Sequence, residues 1–199
     1  ATGKLTLLED YESPPTRPRW ASLSPDEKTV LFARGYNLFM MDGESYALAQ
    51  KKATDPKIKE VQLTTDGVEH YSYARELNDE EKKQYQKDEK DRKDFRVPSI
   101  GITWSKDSRK FSMTRSDQRK VADLWVIIGL ANPRPTLETY RYAMPGEENI
   151  PQREILIYDR ETKKIVKVKA DKFNDQSLFV ATDRMKSIDR EKDKMYSQW

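Results

Sequence analysis

"LSPDEKTVLFAR" (Leu23–Arg34) and "WSKDSRKFSMTR" (Trp104–Arg115) align without a gap at an offset of 81 residues. Ser24 matches Ser105, Asp26 matches Asp107, Lys28 matches Arg109, and Arg34 matches Arg115. Val30 and Phe32 fall on Phe111 and Met113, so the apolar residues keep one period-two phase and share one face of a strand. Aspartate two places after serine suits a tight turn, because its carboxylate accepts a local backbone N–H. The large apolar residue before each serine closes a preceding strand. Further on, "NLFMMD" (Asn37–Asp42) follows the first copy much as "DLWVII" (Asp123–Ile128) follows the second. The repeating unit reads as turn, strand, hairpin, strand.

Short strands punctuated by turns fill much of the remaining chain. "EVQLTTDG" (Glu60–Gly67) alternates up to an Asp-Gly turn signal, and "EILIYD" and "KIVKV" flank the tight connection Arg160–Lys163. "QSLFVAT" (Gln176–Thr182) adds another strand. This spacing predicts an all-β fold, a partial β-propeller of about two blades and the start of a third. Trp199 lies where a third copy's first strand would begin. A closed propeller takes at least about four blades. Residues 1–199 are therefore expected to form a partial propeller domain, the N-terminal fragment of a larger protein.

One segment breaks the pattern. Residues 79–94 read "DEEKKQYQKDEKDRKD", with 13 of 16 charged. Asn78 and Glu81 have the spacing of a capping box, and Asp88–Arg92 and Glu89–Lys93 are favourable i,i+4 pairs. With only Leu77, Tyr85 and Phe95 available to pack, residues 77–95 are expected to be a charged helical or disordered insertion within the propeller.

Composition excludes several classes. The 37 basic and 34 acidic residues leave a formal charge of +3, which argues against nucleic acid as a partner. Cysteine is absent, so there is no disulfide framework or thiolate metal site, and the lone histidine, His70, makes a metal centre implausible. No apolar run is long enough to span a membrane. Neither a cofactor nor a metal is expected.

The serine-aspartate units, each followed by a strand and "N/D-L-hydrophobic", combine with "ETYRYAMPGEENIPQREILIYD" (Glu138–Asp159). Together they resemble the β-propeller of the dipeptidyl peptidase IV branch of the prolyl oligopeptidase family. Tyr142, Gly146, Asn149 and Pro151 match that family's Tyr-Gly-Asn-Pro element. Met144-Pro145 moves a proline towards the glycine, and Ile150 separates Asn149 from Pro151. The resemblance runs from about Trp20 to Trp199. It implies a serine exopeptidase in which a propeller shields a following α/β-hydrolase domain carrying Ser, Asp and His, and in which peptides are cut after proline or alanine at the second position. It also implies a periplasmic or extracellular location. The propeller is then expected to gate and position peptide substrates. The alternative is a non-catalytic propeller scaffold for peptide or protein binding. Open strand edges add an expectation of homo-oligomer formation.

No catalytic residue is expected in this chain. "GESYA" (Gly43–Ala47) imitates a G-x-S-x-G nucleophile elbow, but its second glycine is Ala47, so Ser45 is read as part of a plain inter-strand connection. By the same resemblance, adjacent glutamates on a helical insertion bind a substrate's amino group, which makes Glu80 and Glu81 the substrate-binding candidates. Their surroundings read more simply as a solvated charged helix. Arg115, Arg119 and Lys120 read as exposed charges of a hairpin connection, Glu147 and Glu148 as a turn, and His70 as a loop or strand-edge residue. The tyrosines of "TYRYAMPGEENIP" (Thr139–Pro151) are expected to pack against neighbouring strands, with Pro145-Gly146 setting a turn.

Overall fold

The computed structural model describes residues 17–77, 95–170, 178 and 180, and the strand pairs at 188–189 and 194–195. The charged insertion with Glu80 and Glu81, most of the strand expected at 176–182, and Trp199 lie outside the described residues.

Two antiparallel blades carry the fold, one of four strands and one of five. In the first, β1 (Ser22–Leu23), β2 (Thr29–Arg34), β3 (Asn37–Asp42) and β4 (Glu60–Gln62) pair in chain order, with helix α1 (Gly43–Lys51) between β3 and β4. In the second, the short β5 (Tyr71–Ser72) and β6 (Thr103–Trp104) lie along one edge of β7 (Lys110–Asp117), whose other edge pairs with β10 (Gln152–Asp159), followed by β11 (Lys164–Lys167). Between β7 and β10 the chain makes a separate two-stranded ribbon, β8 (Asp123–Ile128) and β9 (Thr136–Arg141). β12 (Ile188–Asp189) and β13 (Lys194–Met195) form a last short pair. The chain is an all-β partial propeller.

The repeat extends to individual hydrogen bonds. Ser24 Oγ donates to Asp26, whose carboxylate accepts from Lys28 N, while Thr29 N donates to Ser24 Oγ. In the second copy Ser105 Oγ donates to Asp107, Arg109 N donates to the same carboxylate, and Lys110 N donates to Ser105 Oγ. Even the left-handed residue recurs, Glu27 at φ 57° and Ser108 at φ 59°. Asp26 and Asp107 are both held below the ordinary carboxylate range, first by the serine hydroxyl and then by the backbone N–H.

The alignment of "NLFMMD" with "DLWVII" does not survive. β2 pairs with β3 from Thr29↔Asp42 to Arg34↔Asn37, but β7 pairs with β10, from Lys110↔Asp159 to Asp117↔Gln152. The structural counterpart of "NLFMMD" is therefore "EILIYD", and β8–β9 is a ribbon inserted between two strands of the blade. Period two alone cannot distinguish a blade strand from an inserted one of similar apolar content.

The blades stack face to face. Leu31 and Leu38 of the first meet Phe111, Met113, Leu156 and Tyr158 of the second, with Tyr73 between them. The opposite face of the first blade, with Val30, Phe32 and Met41, is covered by Trp20 and by Tyr46 and Ala49 of α1. Residues 30–33 of β2 are wholly buried for this reason: both faces are covered. Polar bonds cross the junction as well. Asp26 N donates to Ser108 Oγ, Trp104 Nε1 donates to Ser22 Oγ, and Arg160 bridges Ser108 O and Thr29 Oγ1.

Two local expectations are corrected. Ser45 lies in a nine-residue helix capped by Asp42, whose carboxylate accepts from Ser45 N at 2.7 Å, and not in a plain connection. Tyr140 and Tyr142 are about half exposed (46% and 53%), Tyr140 lying in β9 of the separate ribbon and Tyr142 just beyond its end. The Pro-Gly turn forms as expected: Glu147 N donates to Met144 O, and Gly146 has φ 92°.

Candidate functional site

A cavity of about 590 Å³ opens at one end of the two blades. The β2–β3 turn at Gly35 and Tyr36, the segment around His70 and Ser72, and the ends of β7 and β10 at Ser116 and Arg153 all line it. Val97 and Ile100 supply apolar wall. Its walls are fixed by backbone pairing. Ala33 and Val97 exchange hydrogen bonds, Tyr73 N donates to Tyr36 O, and Ile100 N donates to Tyr73 O. Leu77 and Phe95, which bracket the charged insertion, also line the cavity.

Directly behind this wall lies an ionic cluster. Arg115 is 7% exposed, in strand β7, and not an exposed loop charge. It donates to Glu154 and Asp66, reaches the Tyr73 hydroxyl at 3.1 Å, and lies 4.1 Å from the centre of the Tyr71 ring. Burial opposes the charge on Arg115 most strongly, yet the hydrogen bond to Glu154 and the surrounding charges of Tyr73, Glu154 and Tyr71 together outweigh it and raise the guanidinium pKa. Burial likewise works against the charge on Glu154, but Lys167 and Arg115 hold its pKa below the usual range. Burial pushes the Tyr73 hydroxyl up to about 12, with its hydrogen bond to Asp66 acting in the same direction and Arg115 opposing it. Arg119, 3.8 Å from the centre of the same Tyr71 ring, is paired with Asp117. The cluster ties the β4–β5 connection of the first blade to β7 and β10 of the second.

Ser45 is buried and its hydroxyl accepts from Lys59 N at 3.0 Å, which makes it a brace between α1 and the chain leading to β4. His70 sits in a tight turn at φ 61°; its carbonyl accepts from Gln118 N, and its ring lines the cavity. Among the described residues no group of three or more His, Asp or Glu gathers as a metal site would. No helix among them is long and apolar enough to cross a membrane.

Residues 6–184 match the family described as the dipeptidyl peptidase IV (DPP IV) N-terminal region. The chain belongs to this family. A dipeptidyl peptidase 4 from Porphyromonas gingivalis is similar in structure, with 22% sequence identity and a TM-score of 0.48 over 75% of this chain and 18% of that one. A putative dipeptidyl aminopeptidase IV from Bacteroides ovatus gives 14% identity and a TM-score of 0.44, covering 75% of this chain and 16% of its own. The DPP IV N-terminal chain thus spans less than a fifth of the length of either solved structure. No curated protein matches it.

The cavity residues Ser72, Ser116 and Arg153 carry no sequence signal of their own. They meet because β10 returns to β7 after the inserted ribbon. Only the residue-by-residue register, not the order of strands, brings them together.

Proposed function

We propose that this propeller portion serves a serine-type dipeptidyl peptidase, positioning peptide substrates for an α/β-hydrolase domain of the same protein. Membership of the DPP IV N-terminal family over residues 6–184 carries this reading. The cavity supports it, since Leu77 and Phe95 on its lining bracket the insertion that holds Glu80 and Glu81. In this reading the two carboxylates hold the substrate's free ammonium by charge-assisted hydrogen bonds. The protein works in the periplasm or outside the cell.

The test is release of dipeptide from a Gly-Pro anilide by the full-length protein. Glu80→Gln and Glu81→Gln are each expected to raise KM at least ~tenfold, the scale of a lost charge-assisted contact. Blocking the substrate's amino group should abolish the difference between wild type and variants. A full-length protein that binds peptides without cleaving them would instead be a non-catalytic scaffold. Unchanged KM in both variants would remove the two glutamates from substrate binding.

A further inference from the structure

Ser72, Ser116 and Arg153 form a row across three adjacent strands. Ser72 is opposite Ser116 in the β5–β7 ladder, and Ser116 is opposite Arg153 in the β7–β10 ladder. Directly opposed residues project from the same face of a sheet, and all three line the cavity. One residue along the same two strands, on the other face, Arg115 is neutralised by Glu154 and Asp66. Arg153 has no hydrogen bond or ion pair among the described residues. The sheet thus satisfies one guanidinium fully and leaves the other facing a cavity with two hydroxyls beside it.

We propose that this row binds the terminal carboxylate of a short peptide. A planar guanidinium offers a carboxylate two parallel N–H donors, and the Ser116 hydroxyl, which accepts from Gln118, keeps its own O–H to donate to the same oxygens, while Ser72 donates to Ala74 O. Glu69, Glu76 and Arg75 line the same cavity, so the lining carries two carboxylates against two guanidiniums. That balance disfavours a polyanion such as a nucleotide and suits a zwitterion. The volume lies in the range of small-ligand pockets. The inference rests on the reading of the protein as one that handles peptides, and adds to it a group that selects for a free carboxylate.

The experiment is calorimetric titration of the full-length protein with the dipeptide Ala-Phe and with its C-terminal amide. The acid is expected to bind at least ~tenfold more tightly than the amide, the scale of a charge-assisted hydrogen bond. Arg153→Gln should bring the acid down to the level of the amide, and Arg153→Lys should restore part of the preference. Equal binding of acid and amide, no binding of either, or a preference that survives Arg153→Gln would overturn the proposal. An unchanged near-ultraviolet circular dichroism spectrum of each variant confirms that the fold is intact. Dipeptide release from the Gly-Pro anilide is read separately. Turnover without acid preference sinks this inference alone, and acid preference without turnover sinks the peptidase reading alone.

Discussion

Arg115 is a cation that the fold depends on and that looks expendable in the sequence. It was legible as the match of Arg34, but its burial was not, because that depends on Asp66 and Glu154 arriving from different turns of the chain. Replacing it with methionine removes the countercharge of a carboxylate buried beside the blade junction. Such half-broken pairs cost ~3–5 kcal/mol when fully buried; Asp66 is half exposed, so about 3 kcal/mol is expected here. Urea unfolding of Arg115→Met against the parent chain measures it, and a loss below the error of that measurement would mean the cluster is idle. Tyr73, in the same cluster, provides a pH signature. Its folded pKa is raised to about 12 from the ordinary 10.0. The associated stability is fully present below pH 10 and is lost as pH rises towards 12. A spectrophotometric tyrosinate titration of the folded protein should show tyrosines ionising late, Tyr46 and Tyr71 also being raised by burial, and Tyr73→Phe should remove one ionisation near the end of that titration. At the acid end Asp159 behaves in the opposite sense. Thr162 N and then Lys110 hold its pKa at about 2, below the ordinary 3.8. Its contribution is present above about pH 4 and is lost as pH falls towards 2. Asp159→Asn should flatten the acid limb of a stability–pH curve over that window.

At the scale of elements, the serine-aspartate turns were readable because each is a closed local circuit: hydroxyl, carboxylate and two N–H groups within six residues. The strands β2, β3 and β8 were readable for a similar reason, each a short apolar run between two turn signals. Pairing was not. Nothing in "DLWVII" states that it turns away from β7, since its partner, "TLETYR" (Thr136–Arg141), becomes visible only once the ribbon has formed. β4 is likewise shorter than its alternation suggests, ending at Gln62. Beyond it, side-chain bonds take over from the ladder: Asn37 Oδ1 accepts from Gly67 N and from Thr64 Oγ1, and Leu38 N donates to Thr64 Oγ1. That clasp draws Gly67 against the β2–β3 turn. A Cβ at Gly67 would stand 2.3 Å from Tyr36 O and 2.7 Å from its carbonyl carbon, both of them backbone atoms that cannot swing aside. Gly67→Ala is therefore expected to cost ~2 kcal/mol, in the range of overpacking. It should also narrow the cavity that Tyr36 lines. Thermal unfolding reports the first effect, and a Gly67→Ala chain as stable as the parent would show that the clasp is loose.

Taken as a whole, the molecule separates a tightly stacked pair of blades from a ribbon that contributes little to them. Blade residues such as Phe32, Leu38 and Phe111 are almost completely buried, whereas Trp125, Ile127 and Leu137 on one face of β8–β9 are 64–72% exposed. A two-stranded ribbon with its apolar face in water gains little from packing and is marginal alone. Its two ends, however, return to directly opposed positions, Asp117 and Gln152, the last residues of the β7–β10 ladder. The blade therefore closes without the ribbon, and the repeat predicts how: the first blade joins β2 to β3 through Gly35 and Tyr36 alone. Replacing residues 118–151 with a two-residue Asn-Gly turn should convert the second blade to the connectivity of the first. The β7–β10 register, the Arg115 bonds to Glu154, Asp66 and Tyr73, and the blade junction should remain, because none of them passes through the ribbon; Arg119 on the Tyr71 ring and the Gln118 bond to His70 O are lost. Val121 is the buried residue lost, and Arg141, which donates to Val121 O, goes with it. The shortened chain is expected to unfold cooperatively with a midpoint within a few degrees of the parent, ~1 kcal/mol corresponding to roughly 2–4 °C at this size. Collisional quenching of tryptophan fluorescence should fall, since Trp125 is the 70% exposed indole that leaves. Loss of the cooperative transition would show that the ribbon holds the second blade together.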